Sequence, residues 1–363
     1  MRADRFPRRV GIVGAGVAGA ACARTLVDAG CAVQVFDKSR GVGGRMATRR
    51  ASWTPEAGAA QPAFFDHGVP WWTAQAPEFA AFLAEAEAAG RVQRWAPRLA
   101  GAAGAPVQAV QAAQGWVGLP DMPALCRWML RDIPLRTECQ VSALAAAEGR
   151  WSVLCGGEPV AQDLDAVVVA IPPAQAAVLW APHQPHQPHQ PKWAVHALAH
   201  PMSPCWTLMA LTDEPPGDPG RAEVWDELVP PSPPLARVIR QDAKPGRLRT
   251  PGLAQWVAHA DPGWSQQHLE SDPQDVQAQL GRALEQALGT ALKWRHAVVH
   301  RWRYAQVVQQ HAGPVAGPVA ADVCCEWDGP AGLGACGDHL GAGGIEAAWL
   351  SGQALARRML VSA

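Results

Sequence analysis

Near its start the chain reads Val10-Gly11-Ile12-Val13, then Gly14-Ala15-Gly16-Val17-Ala18-Gly19, then an alanine-rich stretch closed by Gly30, then Ala32-Val33-Gln34-Val35-Phe36 and Asp37. Two short apolar runs flanking one helix-length segment predict a strand–helix–strand unit of about 30 residues with its strands parallel. Each glycine has a physical reason to be there. Gly14 makes the turn, Gly16 removes the side chain that would keep a phosphate away, and Gly19 lets the helix pack close on the strand. The first N–H groups of the helix then face an anion with no competing partner. Asp37, 23 residues after Gly14 at the tip of the second strand, is placed to accept from ribose hydroxyls. The unit predicts a dinucleotide site and leaves open which dinucleotide fills it.

Further along, Pro77 opens a helix over 78–89 in which Phe79, Phe82, Leu83 and Ala86 share one face, with Gly90 as its stop. Residues 100–115 are Ala/Gly/Gln-rich and read as a surface loop. Trp151–Leu154 and Ala166–Ile171 read as strands, the second apolar throughout as a buried parallel strand is. Pro-His-Gln repeats over 182–191 put His183, His186 and His189 along one edge of a polyproline helix, an inter-domain linker rather than a closed metal site. Trp206–Leu211, Leu253–His259 and Ala297–Arg303 read as strands of a second sheet. Asp272-Pro273 opens a helix carrying Val276, Leu280, Leu284 and Leu288, which Gly289 closes. The chain ends as it began, with a glycine-rich run, Cys336 to Gly344, ahead of a helix from Ile345 to Leu360.

Composition removes several classes of function. The formal net charge is -1 over 363 residues and no cluster of basic residues compensates locally, so no nucleic-acid partner is expected. No run of 18 or more apolar residues occurs, so no membrane span is expected. Met1 to Arg9 is charged like a leader, but the glycine pattern behind it reads as folded protein. Nine cysteines, an odd number without Cys-x-x-Cys or Cys/His ligand spacing, fit a reducing, cytoplasmic setting without a metal.

Asp37 runs into Lys38-Ser39-Arg40-Gly41-Val42-Gly43-Gly44-Arg45-Met46, a second glycine loop whose Arg45 can pair with phosphate oxygens. A second phosphate clamp suits a cofactor that stays, FAD rather than a nicotinamide that comes and goes. Asp338 is placed for ribityl or pyrophosphate-side groups. The N-terminus of the last helix would turn its positive end to the flavin N1/C2=O edge.

Phe36 to Met46, Phe65-Asp66-His67-Gly68, Trp116 to Met122, His300 to Ala305, Cys336-Gly337-Asp338 and Glu346 to Gly352 together resemble the amine-oxidase-like FAD flavoproteins, closest to their bacterial renalase-like branch. The resemblance implies an α/β (α+β overall) architecture, a discontinuous Rossmann-like FAD-binding domain interrupted by an antiparallel-sheet substrate domain. Residues 1–70, 116–180 and 321–363 would form the first, and 71–115 with 181–320 the second. It also implies an oxidase that moves hydride from 2- or 6-dihydro isomers of NAD(P) to flavin N5, with O2 as the second small-molecule partner and NAD(P)+ and hydrogen peroxide as products. A dihydropyridine gives up hydride as its ring regains aromaticity, so no general base is needed.

The candidate cofactor contacts are Gly14, Gly16, Ala18, Gly19, Asp37, Lys38, Arg40, Gly44, Arg45, Asp338, Gly344 and Ile345. Trp72, Trp302 and Tyr304 are candidates for the ring pocket, and His67 and His339 for hydrogen bonds to flavin or substrate, with Trp206 a weaker pocket candidate. Where the renalase-like pattern has Ala-Gln-Tyr-Phe, this chain has Val69-Pro70-Trp71-Trp72, which implies a bulkier, more apolar pocket wall. An amine oxidase or desaturase acting on a hydrophobic substrate remains the enzymatic alternative. Of the four lysines Lys293 comes nearest to a matching position for such an enzyme. A flavin-binding module without turnover is the alternative of another class.

Overall fold

In a computed structural model the described residues are 8–55, 58–100, 114–179, 201–215, 225–308 and 324–361. The Pro-His-Gln repeat and residues 101–113 lie outside them. Strands Arg9–Val13 and Ala32–Phe36 pair in parallel, with helix Val17–Asp28 between them and Gly30 at φ +87° ending it. They sit in a six-stranded sheet ordered Cys325–Asp328, Leu333–Cys336, Ala166–Val169, Arg9–Val13, Ala32–Phe36, Leu135–Arg136. Every neighbouring pair is parallel except the antiparallel Cys325–Asp328 and Leu333–Cys336.

The central strands are apolar throughout because both faces are covered. Val10, Ile12, Ala166 and Val168 point into a core shared with helix Val17–Asp28 and the closing helix Gly344–Val361. Val13, Phe36, Val167 and Val169 point the other way. There they meet Leu144, Trp151 and Val153 of a three-stranded antiparallel meander, Val141–Ala147, Arg150–Cys155 and Glu158–Leu164. The expected strand to Ile171 stops at Val169; Ala170 N still donates to Val13 O at 2.8 Å, and the Ala170 carbonyl packs on Gly14. The opening and closing helices meet at Gly352, whose absent Cβ would lie 2.2 Å from the Ala18 carbonyl oxygen.

The second sheet is ordered Trp294–Val307, Met202–Asp213, Leu253–Ala260, Leu235–Arg240, Glu227–Leu228, Leu99–Ala100. Its pairs are antiparallel apart from the short Glu227–Leu228 and Leu99–Ala100. One face, with Trp206, Leu208 and Ala210, is covered by helix Pro273–Leu288 through Val276, Leu280 and Leu284. That helix starts as its sequence says, with the Asp272 carboxylate accepting from Gln274 N at 2.7 Å, and it ends on Gly289 at φ +69°. The other face contributes Met209, Leu211, Ile239 and Val257 to the core of the parallel sheet's helices. Helix Pro77–Ala88 buries Phe79, Leu83 and Ala86 in the same core. Hairpin Thr48–Trp53/Gln61–Asp66 and strand pair Val92–Trp95/Gly115–Gly118 complete the described strands. No described helix is long and apolar enough to cross a membrane.

Gly352→Ala should cost about 1–3 kcal/mol by overpacking the contact between the two helices. Urea denaturation of the variant against the parent checks this, and an unchanged midpoint would mean that the helices have room to part.

Candidate active site

A cleft of about 2260 Å³ opens between the carboxyl ends of the parallel strands and the strand Trp294–Val307. One wall is bare backbone. A Cβ on Gly16 would meet nothing within 4 Å and would project into open space, whereas one on Gly19 would lie 2.0 Å from the Gly14 carbonyl oxygen. Gly14 itself has φ +111°, so the turn excludes a side chain there on backbone grounds. The second glycine loop is tied to the first, with Gly43 N donating to Ala15 O at 2.9 Å. The Asp37 carboxylate bridges the same region, accepting from Ala15 N and Ser39 N, each at 2.8 Å.

Arg45, on the 3-10 turn Gly44–Met46, donates to Asp338 Oδ2 at 2.8 Å and Oδ1 at 2.5 Å, and to Ala305 O at 3.2 Å. By its place in the second glycine loop, Arg45 is expected on phosphate oxygens. In the structure its guanidinium is bidentate on a carboxylate instead, because Asp338 is nearly inaccessible to solvent and a buried charge needs a partner. Burial opposes ionisation of Asp338, and Arg45 overrides it, holding the carboxyl below its usual range. Asp338 Oδ2 also accepts from Gly344 N at 3.3 Å, so it caps the closing helix. A bulge in Trp294–Val307, between the Cys205–Trp302 and Ser203–Gln306 pairs, carries the Ala305 carbonyl that Arg45 uses.

The opposite wall is a cluster of flat rings. His67 stands edge-on to His300 at 4.8 Å and tilted against Trp302 at 5.0 Å, while His300 and Trp302 are 4.4 Å apart. Trp302 Nε1 donates to the His67 carbonyl at 3.0 Å, which fixes the indole. Burial, then His300 and the Arg49 guanidinium, push His67 down to about 3. Burial and Arg49 push His300 down to about 4, so both imidazoles are neutral at pH 7. The Gly68 that follows is obligatory, since its Cβ would fall on the Arg45 carbonyl.

Behind this wall Asp66 accepts from Thr48 Oγ1 at 2.7 Å, Lys244 Nζ at 3.1 Å and Arg247 Nε at 2.9 Å. Burial raises the Asp66 pKa, and the two cations more than offset it, leaving the group far below the carboxylate range. Burial takes Lys244 down to about 8 against the pull of Asp66. Arg247 Nη1 also donates to Gly118 O and Pro120 O, so the segment Lys244–Arg247 clamps the hairpin that carries His67.

Gly14, Gly16, Ala18, Asp37, Lys38, Arg40, Gly44, Arg45, Asp338, Gly344 and Ile345 line the cleft, as do His67, Trp302, Tyr304 and His339. Gly19 lies behind the turn in its packing role. Trp72 does not line the cleft. It is 5% exposed and exchanges backbone hydrogen bonds with Trp116, so its ring is buried in the core. Trp71 turns away too, donating from Nε1 to Glu227 at 2.7 Å. The pair therefore does not form the expected bulky pocket wall. Trp206 is buried on the far side of its sheet with Nε1 on the His268 carbonyl, and Lys293 is exposed and away from the cleft. The buried lysine beside the site is Lys244.

Sequence reasoning missed His300, Arg49 and the Asp66–Lys244–Arg247 cluster. His300 was within reach, since it stands two residues from Trp302 on a strand and so on the same face.

Comparison with known proteins places the chain by fold and family. A putative protoporphyrinogen oxidase from Exiguobacterium sp. 255-15 superposes with TM-score 0.67 at 12% identity, covering 98% of this chain and 99% of that one. Cyclohexylamine oxidase from Brevibacterium oxydans IH-35A gives 0.69 at 15%, with 98% and 99% covered. An oxidoreductase from Methanosarcina mazei gives 0.63 at 14%, with 94% and 98% covered. At these identities the likeness is one of fold. Residues 12–86 match the NAD(P)-binding Rossmann-like domain, and residues 116–360 match the flavin containing amine oxidoreductase family. The chain belongs to that family, and it is an FAD-dependent oxidoreductase with a mixed α/β fold. The open space at Gly16 and the paired glycine loops fit such a cofactor.

Gly16→Val should leave folding intact and abolish FAD retention, checked by flavin absorbance of the purified variant against its circular dichroism. Wild-type flavin content would remove Gly16 from the cofactor site. The histidines give a pH signature. His67 is lowered to about 3, and His259 and His300 to about 4, from an ordinary value of 6.5, so below that value the unfolded chain takes up protons that the folded one refuses. Stability should be complete above pH 6.5 and fall as pH drops towards 4. The urea midpoint across this window reads it directly, and a flat profile would mean that the imidazoles charge in the folded state.

Proposed function

We propose that this protein is a renalase-like oxidase, converting 2- or 6-dihydro isomers of NAD(P), with O2 and a proton, to NAD(P)+ and hydrogen peroxide. The observation that carries the reading is the ring wall of His67, His300 and Trp302, whose two imidazoles are neutral. A flat, uncharged dihydropyridine stacks on such a wall, and its oxidation asks for orientation rather than a base. Among the described residues, the carboxylates lining the cleft are all engaged, Asp37 by backbone N–H groups, Asp121 by Arg127 and Asp338 by Arg45. None is left to receive an ammonium group, which favours a dihydronicotinamide over an amine.

In this reading residues 1–70, 116–180 and 321–363 hold the cofactor, and 71–115 with 181–320 present the substrate. Gly14, Gly16, Ala18 and the loop Lys38 to Gly44 would cradle the phosphates, Asp37 the ribose, and Asp338, Gly344 and Ile345 the opposite end. When bound, FAD supplies the hydride acceptor and passes the electrons to O2. Trp302, pinned by the His67 carbonyl, orients the ring. Tyr304 and His339 border the same space.

Anaerobic mixing with separated dihydronicotinamide isomers should bleach the flavin rapidly, and Trp302→Ala should slow bleaching more than it lowers flavin content. Bleaching by amines and not by these isomers would make the protein an amine oxidase. No bleaching by either would make it a non-catalytic flavin-binding module.

A further inference from the structure

We propose that Arg49, beside the His67 ring, forms an anion subsite in the cleft that receives the phosphates of a dinucleotide substrate. This rests on the reading above, because a dihydronicotinamide dinucleotide brings phosphates and an amine does not. Arg49 lies in hairpin strand Thr48–Trp53 directly opposite the fully buried Phe65, so the two side chains share the inward face. Its neighbours point the other way, Thr48 to Asp66 and Arg50 over the Phe64 ring at 6.0 Å.

Arg49 lines the cleft half-buried and, among the described residues, its side chain makes no ion pair or hydrogen bond. Of the other cleft arginines, Arg45, Arg127, Arg301 and Arg303 each hold a carboxylate, while Arg40 and Arg50 stand exposed in solvent. A sheltered guanidinium without a counter-ion is a standing site for an anion from outside. His67, 6% exposed, lines the same cleft as a neutral ring. The depressed basicity of His67, His296 and His300, to which Arg49 contributes, places the cation near this ring wall rather than at the glycine cradle. Space is adequate as well. The cleft of about 2260 Å³ exceeds twice the ~1,000 Å³ upper range of pockets for one small ligand, enough for a substrate dinucleotide beside the cofactor.

The test uses the holoenzyme and its Arg49→Gln and Arg49→Lys variants, with three probes: an isomeric dihydro-NAD, the matching phosphate-free dihydronicotinamide riboside, and inorganic pyrophosphate. Anaerobic bleaching should favour the dinucleotide over the riboside. Arg49→Gln should cut that preference about ten-fold or more, with Arg49→Lys recovering part of it. Pyrophosphate should perturb the flavin spectrum saturably in the parent and about ten-fold more weakly in Arg49→Gln. Unchanged preference in Arg49→Gln, or equal pyrophosphate binding in parent and variant, overturns the subsite. If neither ring compound bleaches the flavin, the oxidase reading falls, and the pyrophosphate titration alone still decides whether Arg49 binds an anion.

Discussion

Arg45 ties three distant parts of the chain together. Its guanidinium meets Asp338, 293 residues away, and the Ala305 carbonyl on the second sheet, while its own backbone belongs to the second glycine loop. Because Asp338 in turn receives Gly344 N, the same contact seats the closing helix at the mouth of the cleft. A buried carboxylate stripped of its partner is strongly destabilising, on the order of 3–5 kcal/mol, so the pair enforces the geometry rather than decorating it. The approach of backbone to backbone at Gly14, Gly19 and Gly68, where any Cβ would collide, supplies the other half of that geometry.

The electrostatic layout follows from what the fold buries. Asp66 satisfies Lys244 and Arg247 out of water and so holds the hairpin whose next residue is His67. That ring, crowded against His300 and Trp302 and close to Arg49, stays neutral. The cleft thus has bare N–H groups on one side and uncharged aromatic rings on the other, with cations along its edges. This arrangement suits a flat, phosphate-bearing molecule.

Much of the fold was legible because local rules and tertiary structure agree. The opening strand–helix–strand, the capped helix Pro273–Leu288 and three neighbouring strands of the second sheet all carry their pattern in short windows. What was not legible depends on contacts between remote segments. Hairpin Thr48–Trp53/Gln61–Asp66 is rich in arginine and polar residues and lacks clean alternation, so neither it nor the inward turn of Arg49 stood out. Lys244 carries no motif and matters only because Asp66, 178 residues away, is buried beside it. Trp72 shows the opposite error: an aromatic at a motif position reads as a pocket wall until backbone pairing with Trp116 turns it into core.

The central claim is that one cofactor is gripped at once by the opening turn, the second glycine loop and the start of the closing helix. Hydrogen–deuterium exchange of the apoprotein with and without FAD tests this most directly. The account predicts slowed exchange together at Gly14–Gly19, Gly41–Met46 and Gly341–Ile345. Protection confined to the first of these segments, with the other two exchanging as in the apoprotein, would contradict it.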